Sequence, residues 1–133
     1  MNDTRLQDLC PILQAKAPAF VQACANVSIT THISTTWRDS SAQSAAYAAG
    51  LSKAKPGQSP HECVDAQGNP FSKAFDFSII REGAYISNGE DPAYTAAGAI
   101  GKALGLVWGG DFKSFPDYDH LEIPDWRNNT GLI

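Results

Sequence analysis

Apolar positions change period several times along the chain, and each change marks a predicted element. Between residues 4 and 24 they fall at Leu6, Leu9, Cys10, Leu13, Ala17, Phe20, Val21 and Cys24, close to the spacing of one helical face. Pro11 and Pro18 interrupt that run, which predicts two short helices or a single kinked one. Residues 26–34 (NVSITTHIS) alternate and are rich in β-branched side chains, the pattern of a half-buried strand. Asp39 or Ser40 can cap an alanine-rich helix that stops at Gly50. Residues 51–73 are rich in Gly, Pro, Ser, Gln and Asn and read as a long irregular loop, a kind of segment often given over to function. Residues 74–80 (AFDFSII) predict a buried strand with one carboxylate, Asp76, inside it. Asp91 as N-cap and Pro92 at the first helical position open a helix that Gly105 can end. Residues 106–108 then predict a short strand, Gly109-Gly110 a turn, and residues 120–123 a last strand. Short helices and strands joined by hairpin-like turns give an α+β chain: a small, mostly antiparallel sheet with flanking helices.

Composition narrows the class. A chain of 133 residues has room for one core, so residues 1–133 are read as a single domain. Apolar residues at 43% are enough to fill that core and too many for intrinsic disorder. A net charge of −4 and a pI near 5.2 lack the basic footprint of a nucleic-acid binder. No apolar run approaches the ~18–20 residues of a membrane span. Arg5, Asp8, Gln14 and Lys16 break any leader-like stretch, so the expected location is the cytosol, left by some route other than a cleaved signal. Three widely spaced cysteines, Cys10, Cys24 and Cys63, form neither a disulfide framework nor a zinc knuckle. Cys10 and Cys24 read as small buried hydrophobes on a helical face.

The chemistry gathers around two of the three histidines. His61 lies in the approach to the apolar strand, Asp76 within it, and His120 at the start of the last strand. Two imidazoles and one carboxylate are the protein ligands of a catalytic zinc site, whose fourth position stays open for water. An Asp inside AFDFSII needs its charge compensated, by a cation or, equally on these residues, by an arginine or a capped backbone group. Asp117, Asp119 and Glu122 surround His120 in sequence. Asp117 or Asp119 can serve as general base. Strand alternation puts Glu122 on the face of His120, where it can orient the imidazole, and turns Asp119 away as a solvated loop charge. His32, inside a predicted strand, reads as a structural histidine. Trp126 either packs over a cleft rim or closes the core.

The run Gly105-Leu106-Val107-Trp108-Gly109-Gly110-Asp111-Phe112-Lys113-Ser114-Phe115, followed by Asp117-x-x-His120-x-Glu122, resembles the C-terminal signature of the M15 zinc peptidases. Among these it is most similar to the L-alanyl-D-glutamate endopeptidase branch, found in phage endolysins and bacterial autolysins. Ser59-Pro60-His61 and Ala74-Phe75-Asp76-Phe77 resemble the two halves of the family's S-x-H … G-x-A-x-D-F motif. Thr35-Thr36-Trp37-Arg38-Asp39 with Gln43 and Tyr47 is similar to its Y-R-S … Q … L-Y segment. The resemblance spans about residues 27–123 and implies the carboxypeptidase and hedgehog-like zinc peptidase fold. It implies Zn2+ as cofactor with His61, Asp76 and His120 as ligands, and Asp117 as the base. It implies Arg38 as the group that holds the scissile carbonyl or a substrate carboxylate, and Ser59 and Gln43 as substrate contacts. The family's spacing between the first histidine and the aspartate is shorter. Here fourteen residues intervene, among them Cys63, Asp65 and Gly68-Asn69-Pro70, in what reads as an Ω-like loop. Cys63 as an added ligand is disfavoured, because its thiolate would quench the electrophile.

The expectation is therefore zinc-dependent hydrolysis of an amide in the peptidoglycan stem peptide, most specifically L-Ala–D-Glu. The expected setting is a monomeric phage-type endolysin, held in the host cytoplasm until lysis and then acting in the periplasm on the cell wall. Asp117 where D-alanyl-D-alanine carboxypeptidases carry Glu favours the endopeptidase over that alternative. A non-catalytic wall-peptide module of the same fold would have lost a ligand or the base. A cysteine nucleophile at Cys63 would need an activating helix N-terminus that the sequence does not offer.

Overall fold

The structure, a computed structural model, describes residues 3–52 and 54–132. The amino-terminal apolar run divides at Leu9 and Cys10 rather than at Pro18. Leu6–Asp8 forms a 3-10 turn, and helix α1 spans Pro11–Asn26 without a break. Pro11 occupies the first turn, where its missing N–H is not needed. Pro18 sits on the exposed face, where the carbonyl it leaves without a helical partner is open to water. The buried face is Leu13, Ala17, Phe20 and Cys24.

The strand expected from residue 26 begins later, because α1 runs through Asn26. Ser28 at φ 64° then reverses the chain, its N–H donating to the Ala25 carbonyl and that of Ile29 to the Cys24 carbonyl. Strand β1 is Thr30–Thr35. Helix α2, Ser40–Ala48, is capped by Asp39, whose side chain accepts from the Ala42 N–H at 2.9 Å. Within the long loop beyond α2, Pro60–Glu62 forms a 3-10 turn with a reciprocal cap between Ser59 and Glu62. Strand β2 is Ala74–Arg81, and Glu82-Gly83, both at positive φ, turn it into the two-residue strand β3, Ala84–Tyr85. Helix α3, Pro92–Ala103, starts at the expected Asp91 cap, and the short strands β4, Val107–Trp108, and β5, His120–Glu122, come after it.

Among the described residues the strands form one sheet in the order β1–β2–β5–β4, with β3 beside the far end of β2, and every pairing is antiparallel. The α+β expectation holds. Strand alternation divides β2 cleanly. Phe75, Phe77 and Ile79 point into the core against Phe20 of α1, whose ring lies 4.9 Å from that of Phe77. Each such side chain contributes ~2–3 kcal/mol by leaving water. Asp76 points to the opposite face, which floors an open cleft of about 810 Å³. Cys10 and Cys24 are buried, as expected. No described helix is long and apolar enough to cross a membrane.

Candidate active site

Register brings the site together. Asp76 of β2 pairs directly with His120 of β5, so both side chains rise from the same face, while Leu121 goes to the core. On the other side Asp76 pairs with Thr35, where an irregularity in β1 lets the chain leave the sheet toward Thr36 and Arg38. His61 comes from the 3-10 turn Pro60–Glu62, whose start is fixed by Ser59 Oγ accepting from the His61 N–H at 3.2 Å. The Arg38 N–H donates to the His61 carbonyl at 3.0 Å and ties that turn to the end of β1.

The three side chains converge on one carboxylate oxygen. His61 Nε2 lies 3.2 Å and His120 Nδ1 3.0 Å from Asp76 Oδ1. The far ring nitrogens are engaged as well, His61 Nδ1 with the Thr36 carbonyl at 2.9 Å and His120 Nε2 with Glu122 Oε1 at 2.8 Å. This donor set can hold a divalent ion. Tetrahedral bonds of ~2.0–2.1 Å separate ligand atoms by about 3.3 Å, close to the spacings found here, and imidazoles oriented by outer acceptors are the usual supporting arrangement. Cys63 is in neither group of converging metal-binding donors among the described residues.

Burial would push the Asp76 carboxyl up, but the facing His61 and His120 hold it far below the usual carboxylate range. Burial works against a charged His120, yet hydrogen bonds to Asp76 and Glu122 push it up to about 10. Arg38 Nη2 is 3.5 Å from Asp76 Oδ2, so the arginine pairing considered from sequence is also present. Arg38 lines the cleft, and its Nη1 donates to Gln43 Oε1 at 3.1 Å.

Asp117 Oδ2 stands 3.8 Å from His120 Nδ1 at the cleft wall. Its loop is held by the Asp117 N–H donating to the Gly109 carbonyl at 2.8 Å. A Cβ on Gly109 would lie 2.3 Å from the Asp117 carbonyl oxygen, so the turn predicted at Gly109-Gly110 (a 3-10 turn, Gly109–Asp111) closes against the site with no space for a side chain.

Two expectations need correction. Gln43, expected to touch substrate, is 0% exposed and does not line the cleft. It holds Arg38, anchored in turn to Ser52 Oγ at 3.0 Å and the Ala54 carbonyl at 2.7 Å. Asp119 does not turn away. Its carboxyl gathers with those of Asp76 and Asp117, because the chain ahead of β5 is a turn and not extended strand. Burial first, then the neighbouring carboxyls of Asp117 and Asp76, push Asp119 up to about 8. Ser59 lines the cleft but also caps the His61 turn. Glu122 is where alternation put it. His32 is exposed beside Tyr85 and belongs to no site. Trp126 does both things considered for it, lining the cleft and packing on the core with Arg127 4.4 Å over its ring. The Thr36 carbonyl had no signal, since a backbone group leaves none in sequence.

Residues 34–123 match the M15 peptidase family described as D-alanyl-D-alanine carboxypeptidase. The chain belongs to the M15 peptidases. One relative of this M15 member is the peptidoglycan L-alanyl-D-glutamate endopeptidase CwlK of Bacillus subtilis (strain 168). It is 35% identical over 124 residues, covering 87% of this chain and 74% of CwlK. The M15 fold is also that of the L-Ala D-Glu endopeptidase ChiX of Serratia marcescens, with a TM-score of 0.59 at 19% identity over 89% of this chain and 82% of that one. The protein is thus a peptidase, and His61, Asp76, His120, Asp117 and Arg38 all fall inside the matched span.

Proposed function

We propose that the protein is a zinc-dependent peptidoglycan endopeptidase that cleaves the L-Ala–D-Glu amide of the stem peptide. The observation that carries this reading is the convergence of His61, Asp76 and His120 beside Asp117 and Arg38 in one open cleft. The similarity to CwlK supports the choice of bond. His61, Asp76 and His120 hold the ion. Zinc, when bound, supplies Lewis acidity to an attacking water and to the scissile carbonyl. Asp117 takes the proton of that water and passes it to the departing amine nitrogen. Asp119 lies beside Asp117 with its carboxyl in the same cluster. Arg38, fixed by Gln43, offers its guanidinium to the oxyanion or to a carboxylate of the wall peptide. Resemblance to phage endolysins supports a lytic role, with the host wall reached on release from the cytoplasm.

The test is mass spectrometry of fragments released from purified peptidoglycan, with chelator and with zinc restored. Peptides beginning at D-Glu, lost with chelator and recovered with zinc, are the expected products. Release of terminal D-Ala would support the carboxypeptidase reading that the family's description favours. No fragments from folded, zinc-supplied protein would refute both.

A further inference from the structure

His61 is aimed by contacts made behind the cleft, and these lead to the start of the described chain. Its Nδ1 faces the Thr36 carbonyl, which leaves Nε2 for Asp76. Thr36 is fully buried and lies just beyond β1, past the last strand pairing. Asp3 fixes it there. The Thr36 N–H donates to the Asp3 carbonyl at 2.7 Å, and the Asp3 N–H donates to the Trp37 carbonyl at 3.0 Å. The Thr36 hydroxyl donates to Asp3 Oδ1 at 2.6 Å. The Thr36 hydroxyl also lies 3.2 Å from the Asp3 carbonyl, so four hydrogen bonds to one residue bracket the peptide unit whose carbonyl holds the imidazole. Asp3 lies outside the residues matched by the family.

The electrostatics around Asp3 favour its charged form. Burial works against that charge, but hydrogen bonds from Thr36 and Asp8 hold the carboxyl below its ordinary value. Burial and the adjacent Asp3 push Asp8 up instead. Arg5 lies between them, its Nη2 2.9 Å from Asp8 Oδ2 and 3.5 Å from Asp3 Oδ2. A hydroxyl bonded to a carboxylate is the stronger form of that contact.

We propose that Asp3 is a positioning residue for the metal site, acting through Thr36 to fix the direction and tautomer of His61. The proposal rests on the reading of His61 as a ligand. Residues that orient a ligand from behind typically change metal affinity 10–100-fold when removed.

The test uses the full chain and two readouts: the His61 tautomer in metal-free protein by 15N NMR, and zinc affinity by competition with a chelating dye. Asp3→Ala and Thr36→Val are each expected to weaken zinc binding by about 10-fold or more and to mix the His61 tautomers. Asp3→Asn should fall between wild type and Asp3→Ala, because its amide oxygen still accepts from Thr36 but without the charge. The double variant Asp3→Ala/Thr36→Val should be no weaker than Thr36→Val alone, since Thr36→Val already removes the hydroxyl's contact with the Asp3 carboxylate. Folded Asp3→Ala with wild-type affinity and tautomer would overturn the proposal, as would fully additive losses in the double variant. Should Asp3→Ala not fold, Thr36→Val against Asp3→Asn decides, and a wild-type tautomer in Thr36→Val overturns it. Wild-type protein that binds no zinc would refute the ligand reading, while the tautomer in Asp3→Ala still decides what Asp3 does.

Discussion

Lys73→Met separates a half-buried cation from an exposed one. Lys73 precedes β2, and its backbone ties the His61 turn to the sheet, its N–H donating to the Pro60 carbonyl and its own carbonyl accepting from Ile123. Its ammonium does a different job, donating to the Trp126 carbonyl at 3.0 Å and the Asn129 carbonyl at 2.6 Å. The described segment after Ile123 has no helix or strand of its own, and beside these two bonds it is held by the Ile12 N–H donating to the Gly131 carbonyl at 3.1 Å and by Trp126 packing on the core. Hydrogen bonds to a charged donor contribute roughly 1.5–3 kcal/mol each. Partial hydration of the carbonyls in the variant offsets some of that, which leaves an expected loss of ~2–4 kcal/mol. For 133 residues at ~2.1 cal/mol/K each, the unfolding entropy is about 0.28 kcal/mol/K, so Tm should fall by roughly 7–14 °C. The control is Lys102→Met. Lys102 pairs with Asp111 at 2.9 Å, but both side chains are about half exposed, at 51% and 52%, and the loss should stay below ~1 kcal/mol. Calorimetry or circular dichroism on both variants measures the difference. Equal Tm values for the two variants would refute the reasoning, because they would mean that the Trp126 and Asn129 carbonyls are satisfied as well by water.

Gly109→Ala forces a methyl against the Asp117 carbonyl oxygen and, at 3.0 Å, the His120 Cβ. It should cost ~1–3 kcal/mol in urea unfolding and weaken zinc binding in the same protein. Ser28→Gly removes a side chain from a left-handed position at φ 64° and should stabilise by ~1 kcal/mol, read from the same unfolding curves. His120 is raised to about 10 from its ordinary ~6.5, so its pairing stabilises the metal-free fold fully below pH 6.5 and is lost as pH climbs through 10. Unfolding under chelator should therefore become easier between about pH 7 and 10, and a flat or rising stability across that window would contradict the assignment.

The elements legible in the sequence are those with local signals. The Asp91-Pro92 start of α3, the Asp39 cap of α2 and the short apolar run of β2 each depend on a few adjacent side chains, and all appear where expected. Strand β1 begins later than the β-branched run after Asn26 suggests, because the boundary is a reversal at Ser28 held by the Ser28 and Ile29 backbone bonds and by Ile29 against the core. The β2–β3 hairpin at Glu82-Gly83 was missed although a glycine-containing two-residue turn is a local cue.

The site shows the same division at longer range. Residue type and motif spacing singled out His61, Asp76, His120, Asp117 and Arg38, and strand alternation placed Glu122. Neither could supply the register that sets Asp76 opposite His120, since pairing between β2 and β5 depends on contacts 44 residues apart. Gln43 illustrates the consequence. Its place in the family-like segment marked it as important, but only burial distinguishes a side chain that meets substrate from one that holds Arg38. Thr36 sits inside the family-like segment but acts through its carbonyl, and Asp3 lies outside any motif and acts through that carbonyl's neighbours. A site whose ligands hang from a turn and two strands needs such supports wherever the sheet stops, and those residues carry no mark of their own type. Substitutions at Gln43 or Asp3 should accordingly act on affinity and geometry before they act on the fold.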